Sequence, residues 1–373
     1  MKDDAKPMKR RLLISALAFT ACLSSLPALA QFKPALPGYQ FEFPRDHGSH
    51  YDFRTEWWYF TGHLHTEGGR RYGFEVTFFR VGVSRSEKGP ETRWDLQNLA
   101  LAHFAVTDID GRRFRYHEKL NRMSAFTAGA ATGHLEVFNE GWRAETSSDG
   151  SWHLRAAADG DAIDLKLRAV KPPVVHGENG VSVKAQGIGY ASHYYSMTRL
   201  QATGSVKAKG RKSEPATGLA WMDHEFGGTE LRENQQGWDW FSVQLDNDTE
   251  LMLYVIRRAD GTPDVTSSGS LVTDGADVIS IRHDQIRVST ESTWRSPRSG
   301  ATYPMGWTIE VPSLKIRLRL TSLLEDQELV TKASTQVTYW EGAVDVSGSL
   351  GNISVRGAGY VEMTGYDRPF RQP

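Results

Sequence analysis

Cysteine is almost missing from this chain of 373 residues: there is one, Cys22. A single thiol closes no intramolecular disulfide, so a disulfide-stapled scaffold is excluded and the fold must rest on its core. An excess of charge of one sign is missing too. The 44 Lys and Arg stand against 45 Asp and Glu, a formal net charge of −1, which leaves no basic footprint for nucleic acid. Beyond the N-terminal segment no stretch approaches the ~18 apolar residues that a membrane-spanning helix needs, and helical periodicity is scarce. Aromatic residues and glycine are what the chain has in plenty: 11 Trp, 13 Tyr, 16 Phe and 35 Gly within an otherwise ordinary globular composition.

The one long apolar run opens the chain. Lys9, Arg10 and Arg11 precede Leu12 to Leu26, and Pro27-Ala28-Leu29-Ala30 follows before Gln31. This pattern predicts a secretory signal peptide over residues 1–30, cleaved after Ala30, with 31–40 as an N-terminal extension of a periplasmic or secreted protein. Cleavage removes Cys22 and with it any thiol enzyme. The alternative, a lipoprotein site at Cys22 in Phe19-Thr20-Ala21-Cys22, fits less well because Phe19 is bulky for that recognition. Arg10-Arg11 also resembles a twin-arginine signal.

Alternating apolar and polar residues, as in Tyr72–Phe79, Ala100–Val106, Leu251–Ile256 and Ser313–Leu320, predict strands. Asp110-Gly111, Asp149-Gly150, Asp159-Gly160 and Asp260-Gly261 supply hairpin turns. The expected class is all-β, as a sandwich or barrel. Several words recur in order. Trp57–Leu64 matches Trp238–Leu245, and the apolar strand after each ends in Arg, at Arg80 and Arg257. Tyr195–Val206 matches Tyr339–Leu350, and Gly218–Asp223 matches Gly357–Glu362. The expectation is a tandem of two related β domains, 41–226 and 227–373, with Lys207 to Thr217 as an exposed loop in the first.

Chemistry is distributed unevenly between these halves. All histidines but His283 lie between His47 and His224. On the strand after Thr55, even positions place Glu56, Trp58, Phe60 and Leu64 on a core face. Odd positions place Trp57, Tyr59, Thr61, His63 and His65 on a face suited to a ligand wall or a domain contact. His63 and His65 could share a metal only with a third ligand, and polar tips at a strand end explain them as well. Asp239 takes the core-face slot that Trp58 holds in the first half, where burial would raise its pKa; Glu56 shares that ambiguity. In Trp221-Met222-Asp223-His224-Glu225, Asp223 and Glu225 share a face with Trp221, and His224 points the other way. Glu362 matches Asp223, so a structural role explains Asp223 at least as well, whereas His224 and Glu225 are special to the first half. Tyr190, His193, Tyr194 and Tyr195 form an aromatic and polar group. No Gly-x-Ser-x-Gly elbow, phosphate loop or His-Glu-x-x-His is present, which counts against a serine hydrolase, nucleotide enzyme or zinc peptidase.

Three segments together resemble the AttH-like family of exported bacterial proteins, related to carotenoid 1,2-hydratase: His50–Leu64, Trp221–Gly227, and Tyr339-Trp340-Glu341-Gly342 with Gly359–Tyr366. The resemblance covers nearly the whole mature chain. It implies two lipocalin-like domains, a pocket at or near their junction and apolar, isoprenoid-like ligands. Members are often described as secreted hydrolases or hydratases. As a hydro-lyase, the protein would protonate a C=C bond from Glu225, Asp239 or Glu56, with Asp223 nearby and His224 activating water. Trp57, Tyr59, His63, Tyr194, Tyr195, Trp221, Trp238 and Trp240 would form the aromatic pocket. As a binding module, the same pocket would carry a lipid to or from an ABC-type membrane transporter. Neither reading calls for a cofactor or a metal, and a monomer suffices for both.

Overall fold

The computed structural model describes residues 32–84, 96–178, 180–228 and 230–371; the expected signal peptide lies outside the described residues. Among these residues the protein is built from strands and three short 3-10 turns, and no helix is long and apolar enough to cross a membrane.

Six strands of a first sheet position the site: β1 (Thr55–Thr66), β2 (Arg71–Gly82), β3 (Asn98–Asp108), β4 (Arg113–Arg122), β5 (Ala191–Lys207) and β6 (Glu214–Gly227). Their order is β4-β3-β2-β1-β6-β5, and shorter strands between 128 and 169 continue the sheet beyond β5. Four strands of a second sheet do the same: β7 (Gln235–Leu245), β8 (Glu250–Arg258), β9 (Thr338–Leu350) and β10 (Ile353–Thr364). Here the order is β8-β7-β10-β9. Every pairing is antiparallel, so directly opposite residues project to one face.

Each sheet curls around its own core. Trp58, Phe60 and Leu64 on β1 meet Trp142, Trp152 and Leu165 from the far strands of the same sheet. Phe241 and Val243 on β7 likewise meet Trp307, Leu318 and Trp340. The opposite faces pack on each other, where Tyr59, Tyr194 and Trp221 of the first sheet join Trp240, Met252, Tyr254 and Tyr360 of the second. The central strands are therefore buried on both sides, and burying each large apolar side chain contributes about 1.5–3 kcal/mol. The architecture is two curled sheets of lipocalin type, as expected.

One local expectation needs trimming. The exposed connection expected from Lys207 to Thr217 is shorter: β5 runs to Lys207 and β6 begins at Glu214, so 208–213 form the loop. The N-terminal extension docks on the first sheet, with Ala35 buried against Phe53, Val181 and Phe226 and Tyr39 stacked 4.5 Å from His193.

Candidate functional site

The sheet contact encloses a cavity of about 160 Å³. Strand register explains its walls. Glu225 on β6 lies opposite Trp57 on β1, which lies opposite Phe79 on β2 and, across it, Leu101 on β3. The next row in the same face is Asp223, Tyr59, Thr77, His103 and, on β4, Glu118. From the second sheet comes the row Tyr254, Trp240, Glu362, Glu341 across β8, β7, β10 and β9. Trp57, Phe79, Trp238, Trp240 and Phe370 make the cavity aromatic, and Glu75, Glu225, Glu341, Glu362 and Asp223 give it carboxyl groups. Arg54, Val81, Thr335, Val337 and Phe370 also line it and are themselves partly or fully exposed, which marks the rim.

These carboxyls are not equivalent. The Tyr59 hydroxyl donates to Glu341 Oε1 at 2.7 Å across the sheet contact. Trp238 Nε1 donates to Glu362 Oε2 at 3.0 Å. Thr77 Oγ1 donates to Glu75 Oε1 at 2.7 Å, and the Tyr339 hydroxyl lies 3.2 Å from the same atom. Glu75 Oε2 and Glu341 Oε2 are buried without a hydrogen-bond partner among the described residues. Burial pushes Glu75 up to about 7 and Glu362 up to about 8. Burial, together with the neighbouring Glu75 and Glu362, holds Glu341 well above the usual carboxylate range. Asp223 is also pushed up to about 7 by burial, but both its oxygens are engaged, by Ser196, Trp221 Nε1 at 2.6 Å and the Tyr194 hydroxyl at 2.7 Å. Glu225 is bound by Ser192 and by Lys184 Nζ at 2.8 Å. A buried carboxyl that is neutral near pH 7 and has a free oxygen can donate a proton to a ligand, and Glu75 and Glu341 meet that description.

The residues expected from the sequence divide between this cavity and other places. Trp57, Tyr59, Tyr194, Trp238, Trp240, Asp223 and Glu225 line it. Trp221 stands behind it as a donor to Asp223. His63 lies in the sheet contact, its Nε2–H donating to the Gly359 carbonyl at 2.9 Å, and burial pushes it down to about 4; His65 is exposed, so the two do not converge on a metal. His224 points into the first sheet's own core, stacked 4.7 Å from Trp58, with Nε2 at 2.9 Å from Glu56. Tyr195 joins it there, its hydroxyl 2.7 Å from His47 Nδ1. Neither His224 nor Tyr195 reaches the cavity, because alternate residues of a strand face opposite sides.

Glu56 and Asp239 do not serve as proton donors to the cavity. The Glu56 carboxylate, although its residue borders the cavity, receives Arg80 Nε at 2.9 Å, Ser49 Oγ at 2.7 Å and His50 N. Against the upward push of burial, Arg80, His224 and His50 hold it well below its usual range. Asp239 faces the second sheet's core, bound by Arg257 Nε at 3.0 Å and the Tyr366 hydroxyl at 3.1 Å; burial raises its pKa. His50, Glu56 and His224 bring three ligand atoms within 4.8 Å of one another. The Arg80 guanidinium already neutralises that carboxylate, so the group fits an ion-pair cluster better than a cation site.

Glu75, His103, Lys184 and Glu341 were missed as site residues by sequence reasoning. The signal was present for Glu75: it is the one charged residue inside Tyr72–Phe79, a stretch otherwise made of aromatic residues, Val76, Thr77 and Gly73.

The chain matches the family model described as AttH-like over residues 34–366. A crystal structure of an AttH protein from Nitrosomonas europaea superposes with a TM-score of 0.80 at 33% identity, covering 90% of this chain and 99% of that one. Kievitone hydratase of Fusarium solani subsp. phaseoli is 24% identical over 276 residues, 72% of this chain and 75% of its own. The crystal structure of kievitone hydratase from Nectria haematococca shares the fold, with a TM-score of 0.69 at 14% identity over 90% of this chain and 96% of that one. On its motifs, its sheet architecture and the span of these matches, the chain belongs to the AttH-like family.

Proposed function

We propose that this protein adds water to a carbon–carbon double bond at the end of an apolar, isoprenoid-like molecule, in the cavity between its sheets. The observation that carries the reading is the pair Glu75 and Glu341, two buried carboxyls with raised pKa, each with a free oxygen among aromatic walls. Kinship to a hydratase supports it. The cavity is smaller than the ~300–1,000 Å³ of sites that engulf a drug-sized ligand, which suits the end of a longer molecule entering past the rim.

In this mechanism Glu75 gives its proton to one alkene carbon, and the π pair becomes the new C–H bond. The indole faces of Trp57, Trp238 and Trp240 stabilise the carbocation left on the neighbouring carbon. Water held by Glu341 closes the C–O bond and releases a proton. The leader read in the sequence supports action in the periplasm or outside the cell.

Incubation with kievitone, and separately with an organic extract of membranes, followed by mass spectrometry should yield a product heavier by one water. Glu75→Gln and Glu341→Gln should each lower its rate by at least about 100-fold while tryptophan quenching shows that ligand still binds. Equal rates in the variants would overturn the assignment. Ligand recovered unchanged from wild type and variants alike would favour the carrier reading, with delivery to an ABC-type transporter.

A further inference from the structure

A chain of hydrogen bonds leads out of the cavity from Glu75. The Tyr339 hydroxyl lies 3.2 Å from Glu75 Oε1 and 2.7 Å from His103 Nδ1. His103 Nε2 lies 2.9 Å from Ser334 Oγ, and Ser334 Oγ lies 2.6 Å from Glu118 Oε2. Glu75 and His103 are 1% and 0% exposed, whereas Glu118, on the edge strand β4, is partly exposed. Four short contacts thus join a carboxyl shut away from water to one that water reaches.

A neutral imidazole has one N–H and one lone pair, so His103 can stand in this chain in two ways. In the first, protonated Glu75 donates to Tyr339, Tyr339 donates to Nδ1, Nε2–H donates to Ser334, and Ser334 donates to ionised Glu118. In the second every bond is reversed: protonated Glu118 donates to Ser334, Ser334 to Nε2, Nδ1–H to Tyr339, and Tyr339 to ionised Glu75. Passing from the second to the first, each intermediate group receives one proton and hands one on. The net change is one proton moved from Glu118 to Glu75. Burial, which pushes His103 down to about 3, keeps out the doubly protonated ring that would interrupt the chain.

We propose that Glu118, Ser334, His103 and Tyr339 form a proton path that restores the proton of Glu75 after each turnover. The proposal rests on the reading of Glu75 as the cavity's acid. Glu75 loses one proton to the alkene carbon, the adding water releases one to solvent at the rim, and the path returns one from solvent to Glu75. The sum is alkene plus water. The titratable groups that interact with Glu75 are Tyr59, Tyr339, Tyr360, Glu341 and Glu362; those that His103 meets are Tyr339 and, through Ser334, Glu118.

The test that needs no substrate is nitrogen-15 NMR of the His103 ring in the full chain, followed over roughly pH 5 to 9. The ring should stay neutral and pass from Nε2–H to Nδ1–H with a midpoint of about 7, as Glu75 ionises, Tyr339 turns to it, and Ser334 turns to Nε2 from the ionised Glu118, which keeps the Ala333 N–H. Glu75→Gln should abolish the passage. A single tautomer throughout, or a passage retained in Glu75→Gln, would overturn the path. With kievitone, Ser334→Ala should lower kcat at least about tenfold with KM unchanged, and Ser334→Thr, which keeps the hydroxyl, should recover it; full activity in Ser334→Ala would overturn the path as well. If wild type hydrates nothing but the tautomer passage is present, the hydratase reading fails and the path stands.

Discussion

Glu56 and Glu75 sit on adjacent strands, equally shut off from solvent, and differ in protonation because of their neighbours, Arg80 first and then His224 and His50. Arg80 lies directly opposite Glu56 in the sheet and points to the same side; the hydrogen-bond partners of Glu75 among the described residues, Thr77 and Tyr339, carry no positive charge. The first carboxyl is thereby an ionised strut and the second an acid. The recurrent strand-terminal Arg was legible in both halves, but its partner was not, since an alternation pattern shows which face a residue takes and not what it meets there. Neutralising the strut strands a buried guanidinium, so Glu56→Gln should destabilise the fold by about 3–5 kcal/mol, read as a lowered urea midpoint. An unchanged midpoint would mean that the bonds of Arg80 to Asn98 and to the carbonyls of His50 and Phe53 suffice to hold it.

At the scale of elements, strand class and most faces were readable from period-two patterns. The matching words occupy corresponding places in the two sheets: β1 lies between β2 and β6 as β7 lies between β8 and β10. What alternation could not announce is a strand buried on both sides, whose second face looks merely polar or aromatic. Gly73 on β2 shows how close the second contact is. A Cβ added there would fall 2.5 Å from the Tyr360 hydroxyl and 3.0 Å from Ala343 Cβ, both in the other sheet. Gly73→Val should therefore force the sheets apart and cost about 1–3 kcal/mol, with a lowered midpoint in thermal or urea unfolding. A midpoint equal to that of wild type would show that the contact yields without strain.

The whole molecule carries two opposed sets of buried titratable groups. Carboxyls such as Glu362, raised from 4.5 to about 8, keep protons in the folded state that the unfolded chain has released. Their contribution is complete below the unfolded value and is lost as pH rises through the folded one. Histidines such as His63 and His103, pushed down from 6.5 to about 4 and about 3 by burial, stay neutral where the unfolded chain takes up protons. Their stabilising share is complete above 6.5 and is lost as pH falls toward those values. Stability should peak at roughly pH 5–6.5 and decline on both sides in urea titrations. Glu362→Gln should flatten the alkaline limb; an identical limb in that variant would mean that Glu362 does not stay protonated in the fold.

The sequence by itself determined the all-β class, the turns, the aromatic strands, the family and the side of its strand on which each candidate lies, because alternation and turn chemistry act over a few residues. It also placed Asp223 and Glu225 beside Trp221 and turned His224 away. Only the tertiary structure decided which acids are chemically free. That depends on partners which alternation along one strand does not reveal: Arg80 beside Glu56, Arg257 beside Asp239, Lys184 beside Glu225, and, among the described residues, none at the second oxygens of Glu75 and Glu341. The cavity exists because the two sheets press aromatic faces together, and that contact is a property of neither sheet's sequence alone.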